Sequence, residues 1–323
     1  MGRAPSRVTG SGPPETSLTG CSPSASSADR AGIVRGPGGN RPRPGGLAGE
    51  YAFPIDVELL YRQQLNEVDR QLLEPVASDT GLIAALGSPA LESVVFPPVD
   101  RGTGVHPSPF LTFAVAVHRT AAALAAATFL EERLGPRRRI PVFDVESLRA
   151  VLADPLRRYF FIELLASYTR VSSGVTWRRT PLGWRRQRFS ELDPVRLAGL
   201  LDEVGPKERV GVYRRLGDLS LFLVGVFPDH PPLPAGAAAD RLLRHGGVHP
   251  DRIADLDGGA LFELLGARWY RAATRLAVGA GLPITGTFSV VGDVADHFRE
   301  ARRVLNAVTD RYLFPLRSRW FPG

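Results

Sequence analysis

Pro206-Lys-Glu-Arg-Val-Gly-Val-Tyr-Arg-Arg-Leu-Gly-Asp-Leu-Ser-Leu-Phe-Leu-Val-Gly-Val-Phe227 is the stretch that decides the fold class of this chain. Projected at a helical repeat of about 100° per residue, Val212, Tyr213, Leu216, Leu219, Leu223, Val226 and Phe227 cover more than half of the circumference. A narrow opposite stripe holds Gly211, Arg214, Arg215, Asp218 and Gly225. A helix this apolar must be nearly surrounded by other elements. Asp218 is therefore expected out of water, in need of a cation or a hydrogen-bond donor. Arg214, one turn earlier, is a partner on the same helix, although in the less favourable orientation for an i,i+4 pair. Glycines on the stripe would let another backbone, or a ligand, approach closely.

Working outward, the flanking segments repeat the helical pattern with recognisable starts. Asp144 precedes Val-Glu-Ser-Leu-Arg, Asp154-Pro155 opens a run to Ser172, and Asp193-Pro194 opens a run to Val204. An aspartate cap followed by proline satisfies one orphan amide and removes another. Further helices are expected near 55–74, 108–134, 259–278 and 289–313. Strand signals are scarce, so the fold expected is all-α and bundle-like. The exception is Val175 to Arg188, which reads as one short β-hairpin around Thr180-Pro181-Leu182-Gly183. If Thr180 faces Gly183, then Arg179 faces Trp184 and Trp177 faces Arg186, each pair within reach of a cation–π contact.

The domain implied by these elements runs from 51 to 323, with a long Pro/Gly/Asp/His connector over 228–258. Residues 1–50 are rich in Gly, Pro, Ser and Arg and hold too little apolar surface to offset ordering, so they read as a disordered tail. Of the formal net charge of +7, the tail carries +3, Arg137–Arg139 another +3 and the hairpin arginines +5, which leaves the rest at −4. The basicity is local, and the remaining body is mildly acidic.

Composition removes whole classes of chemistry. The single cysteine, Cys21, can form no intrachain disulfide and supply no multi-thiolate cluster. Lys207 is the only lysine and stands in Gly-Pro-Lys-Glu, which is no phosphate-binding P-loop. The chain holds no His-Glu-x-x-His, no Gly-x-Ser-x-Gly and no Ser-x-x-Lys. No apolar secretory signal opens it. The span from Phe110 to Leu130 carries His118 and Arg119 mid-way, so it reads as a buried helix and not as a membrane anchor. A cytoplasmic location is expected, and no cofactor.

Three stretches carry a resemblance. They are Pro141-Val-Phe-Asp-Val-Glu-Ser-Leu-Arg149 with Ala153-Asp-Pro-Leu-Arg-Arg158, Phe189-Ser-Glu-Leu-Asp-Pro-Val-Arg-Leu197, and Tyr213 to Phe222 running on to Phe227-Pro-Asp229. In these the chain resembles a group of bacterial proteins, mainly of the high-GC actinobacterial kind, that have no assigned activity. The resemblance covers roughly the region from 105 onward. It implies a bacterial intracellular protein and transfers no catalytic residue. The near-total use of arginine over lysine fits a GC-rich coding bias.

Four residues are candidates for chemistry: His118, Glu163, Asp218 and Glu263. All sit in apolar helical runs, and with Arg119 they could form a polar site inside the bundle. A buried carboxylate beside a histidine would make an acid/base pair. The competing reading makes the same acids interhelical ion pairs that fix register, and it leads, because such pairs also perturb pKa. For binding, Arg119, Arg214 and Asp218 belong to the interior set, and Trp177, Arg178, Arg179, Trp184, Arg185 and Arg186 to the hairpin. Clustered arginines between aromatics could neutralise phosphates and stack on bases. His245-Gly-Gly-Val-His249 offers two metal-ligand side chains, but the intervening glycines leave their geometry unset. The function expected is that of a non-catalytic helical protein acting through protein partners. A nucleic-acid or polyanion binder using the hairpin, and an enzyme using the buried carboxylates and His118, are the alternatives.

Overall fold

In the computed structural model, described for residues 55–97, 106–133, 139–170, 173–180, 183–228, 235–253 and 255–314, helices begin where the sequence supplies caps. α1 (Val57–Gln64) follows Asp56, whose carboxylate accepts the Leu59 amide hydrogen at 3.1 Å. α2 (Glu67–Thr80) follows Asn66, and Asn66 and Asp69 bond each other's backbone amides at 2.8 and 3.2 Å. This reciprocal capping box divides the single helix expected near 55–74 into two. α3 (Leu82–Leu86) and α4 (Pro89–Val95) complete the N-terminal group.

α5 (Pro109–Ala126) starts at Ser108 and is buried through most of its first half. Among the described residues it is the helix long and apolar enough to cross a membrane, and here it packs inside the domain. It ends eight residues before the expected 134. The chain instead forms β1 (Leu130–Arg133), which pairs antiparallel with β2 (Arg139–Val142), Leu130 opposite Val142. This second hairpin is unexpected from sequence, because Glu131, Glu132 and Arg133 favour helices. Tertiary bonds override that preference: Glu132 is gripped by Arg302 at 2.8 Å and by Arg303 at 3.3 Å.

α6 (Val145–Ala153) begins after Asp144, but the Asp144 carboxylate caps nothing and reaches Arg303 at 3.3 Å instead. α7 (Pro155–Ser167) and α8 (Pro194–Gly199) start as expected, with Asp154 and Asp193 bonding the first free amides and proline at the first helical position. Between them β3 (Ser173–Thr180) and β4 (Gly183–Ser190) form the expected hairpin. Its register pairs Thr180 with Gly183, Arg179 with Trp184 and Trp177 with Arg186. The side chains of Trp177, Arg178, Arg179, Trp184, Arg185 and Arg186 lie outside the described residues, and with them the expected cation–π contacts.

α9 (Glu208–Val226) and α11 (Gly258–Gly279) are the central pair. From Leu216 to Val226 every residue of α9 is buried except the half-buried Leu223, as its periodicity requires. Gly217 permits the close approach: a Cβ there would stand 2.3 Å from the Tyr270 ring. Gly266 of α11 likewise meets Phe298, and Gly225 meets Leu305. α10 (Ala237–Gly246) interrupts the expected connector 228–258. Its Leu242 and Leu243 are buried, and Gly247 closes it in the left-handed conformation at φ 61° while Val248 bonds back to Leu243. The run expected over 289–313 divides into α12 (Val291–Asp296) and α13 (Phe298–Val308), with tighter turns before and wider ones after. All of these elements belong to one compact unit. The expected tail 1–50 and residues 229–234 lie outside the described residues.

Candidate functional site

The candidate residues fall into three separate places. The first surrounds Arg214 on α9. Its Nε donates to both Asp218 oxygens at 3.0 and 3.2 Å, and its guanidinium reaches Glu163 of α7 at 3.7 Å. From α11, Tyr270 donates its hydroxyl to Asp218 Oδ1 at 2.8 Å. Thr287, in the turn between α11 and α12, donates to Glu163 at 2.6 Å. Asp218 is buried, Arg214 nearly so, and the cluster opens to solvent at Glu163. Burial alone would lower the Arg214 pKa, but the Asp218 charge and the bonds around it raise the value instead. Burial, and then the Asp218 charge, hold the Tyr270 phenol well above its ordinary range, so it remains a donor. One residue along α9, Arg215 lies over the Tyr168 ring at 4.1 Å and bonds Ser167 and Glu191.

This arrangement is a clamp. A general base needs an acceptor free for substrate, whereas both Asp218 oxygens are already engaged by donors from two helices. What it does is lock α7, α9, α11 and the Thr287 turn in one register.

The second place is His118. The expected meeting of His118 with Asp218 and Glu163 does not occur, because α5 turns its histidine toward α1. His118 Nε2 and the Tyr61 hydroxyl are 2.9 Å apart, and Tyr61 also packs edge-on against Phe110 and Tyr159. No carboxylate bonds the imidazole among the described residues. Burial, reinforced by the Arg158 charge, pushes the His118 pKa down to about 3. The ring is neutral, so Nε2 accepts from Tyr61 in the tautomer that keeps the tyrosine a donor. His118 borders an open cleft of about 660 Å³ that Arg158, Arg149 and Glu58 also line.

The third place collects Glu263 and Arg302, 3.0 Å apart, beside Glu132, Asn306 and Arg303. Glu263 and Arg302 edge a second cleft of about 800 Å³. Asn306 carries further structural work, donating to the last carbonyls of α9, Val224 at 3.1 Å and Gly225 at 2.7 Å. Arg119 belongs to none of these places. It bonds Glu92 at 2.6 Å and the Gly87 carbonyl at 2.9 Å, tying α5 to α4.

The two histidines considered for metal do not face a common point. His245 Nε2 lies 3.2 Å from Asp202 Oδ1, while the exposed His249 stands 3.1 Å from Asp251. Among the described residues no group of three or more His, Cys, Asp or Glu side chains gathers. Sequence reasoning missed Tyr61, Tyr270, Thr287, Arg158 and the Arg302–Arg303 pair. Only the arginine pair left a signal, two adjacent charges in the apolar run Ala301 to Val308.

Comparison of the chain with protein-family models, with curated proteins and with solved structures finds no match in any of the three.

Proposed function

We propose that the chain is a non-catalytic bacterial protein that works in the cytoplasm through contacts with other proteins. The observation that carries this reading is that each acid weighed for catalysis already has an arginine partner within the fold. Asp218 is taken up by Arg214 and Tyr270, Glu163 by Thr287 and Arg214, and Glu263 by Arg302. A surface suited to contact accompanies it. Phe129 and Phe143 flank the open end of the β1–β2 hairpin, 46% and 74% exposed, with ring centroids 6.0 Å apart. Aromatic residues, Phe included, are enriched in the cores of protein interfaces. The test is a photo-crosslinking amino acid at position 143, used in cells, with the same residue at the exposed position 70 as control. The reading expects one discrete adduct at 143, lost when Phe129→Ser is added. Equal adducts at both positions, or none, would remove it.

A second reading, nucleic-acid or polyanion binding, draws on the register of β3 and β4. Cross-strand partners lie on one face of a ribbon and alternate residues share that face, so Trp177, Arg179, Trp184 and Arg186 are grouped together. Gel shift against nonspecific DNA at two salt concentrations tests it. If Arg178, Arg179, Arg185 and Arg186 changed to Glu leave binding and its salt slope unaltered, this second reading fails.

A further inference from the structure

The cleft beside His118 has a feature that the ion-pair network elsewhere lacks. Across the domain, Arg119, Arg149, Arg214, Arg215, Arg268, Arg271, Arg302 and Arg303 each bond an acid, a carbonyl or a hydroxyl. Arg158 bonds none among the described residues, although its Nε is fully buried and its side chain lines the cleft. A guanidinium held partly out of water without a partner is costly. Its neighbours do not compensate. Glu58, the acid on the same wall, is bonded to Arg62 at 3.1 Å. Arg149 is consumed by the carbonyls of Leu124 and Ala127, at 2.8 and 2.6 Å. His118 and Tyr61 are both neutral at ordinary pH, since burial disfavours the charged form of each.

The rest of the cleft is built for an apolar occupant. His118, Ala121, Ala122 and Ala125 stand at i, i+3, i+4 and i+7, one face of α5. The buried first half of the same helix carries Phe110, Leu111, Phe113, Val115 and Val117. Small side chains on this face leave the space open, and Leu82 and Leu152 face it from α3 and α6. A volume of about 660 Å³ falls within the ordinary range for small-molecule sites, about 300–1,000 Å³.

We propose that this cleft binds a small organic acid, its carboxylate held by Arg158 and its apolar body lying along Ala121, Ala122 and Ala125. The guanidinium offers a planar fork that matches a carboxylate. One cation without further free donors suits a monoanion better than a phosphate. This site is independent of the protein-contact reading and stands or falls without it.

The test is isothermal titration calorimetry of the full chain with octanoate, with octanol as the uncharged analogue and with inorganic phosphate. Octanoate is expected to bind in the micromolar to millimolar range, and octanol about tenfold or more weaker, as the loss of a charge-assisted bond requires. Arg158→Met should weaken octanoate by a similar factor. That variant breaks no bond of the fold, and an unchanged or raised melting temperature checks its integrity. Ala122→Leu, at an exposed position on the cleft wall, should weaken octanoate and octanol alike. Octanoate binding that survives Arg158→Met, binding of phosphate in preference to octanoate, or no heat with octanoate at millimolar concentration would each overturn the proposal.

Discussion

Tyr270 donates its hydroxyl to Asp218 Oδ1 at 2.8 Å, and the same ring covers Gly217, one residue earlier on α9. A single aromatic side chain thus fixes both how close α9 and α11 come and in what register. The carboxylate that the ring meets is the one that Arg214 neutralises from the other side.

Removing that carboxylate should be expensive. In Asp218→Ala the largely buried Arg214 keeps only Glu163, at 3.7 Å, and the Thr287 hydroxyl, at 3.5 Å, and Tyr270 loses its acceptor. Breaking a buried pair by deleting one partner costs about 3–5 kcal/mol. Urea unfolding should register a loss in that range. The double variant Arg214→Met/Asp218→Leu should recover a large part of it, because no unpaired charge remains. A single variant that loses under about 1 kcal/mol would mean that the pair is effectively solvated.

Two glycines on α9 should respond oppositely to the same methyl group. At Gly217 an added Cβ meets the Tyr270 ring at 2.3–2.8 Å, and that ring is fully buried and tethered. Gly217→Ala should therefore cost about 1–3 kcal/mol by overpacking. Nothing lies within 4 Å of a Cβ on the exposed Gly211. Gly211→Ala should stabilise by about 0.5–1 kcal/mol through helix propensity. Thermal melts of the two variants side by side check both signs.

Acid should weaken the domain through His118. Burial and the Arg158 charge lower its pKa from 6.5 to about 3 in the folded state. Below about pH 6.5 the unfolded chain takes up a proton that the folded domain refuses, so the contribution is complete above that value and is lost as pH falls toward 3. The slope is about 1.4 kcal/mol per pH unit, or about 2 kcal/mol between pH 6.5 and pH 5. Glu92 also has a lowered pKa, its burial outweighed by bonds from Tyr312 and Arg119. It acts below its ordinary 4.5 and stays outside that window. Denaturation midpoints of the wild type and of His118→Gln should therefore converge as pH drops. Parallel curves would contradict the assignment.

How far the sequence could be read follows from where each signal is written. The burial of Asp218 and its pairing with Arg214 lie within one helix, and the apolar pattern of Pro206–Phe227 was enough to read them. The aspartate–proline starts of α7 and α8 are equally local. What escaped is long-range. Tyr270 is 52 residues from Asp218, Thr287 is 124 from Glu163, and Arg302 is 170 from Glu132. Periodicity gives the buried face of a helix but not the helix that it faces. For that reason the apolar pattern groups His118 and Glu263 with Asp218, whereas the fold sends them to Tyr61 and Arg302. The strand at Leu130–Arg133 is a harder case, since its residues prefer a helix and the ladder to β2 together with the arginines of α13 holds it otherwise. The break at Asn66 was legible in Asn66-Glu-Val-Asp69 and was hidden by the apolar pattern running through it.

The account rests on α9 being enclosed, with its acid neutralised inside the domain. Hydrogen exchange measured residue by residue is the most direct check. The amides from Leu216 to Val226 should exchange only through global unfolding, with free energies equal to that from urea denaturation of the same protein. Exchange of this segment at free energies several kcal/mol lower, while α5 remains protected, would place α9 at the surface and contradict the account.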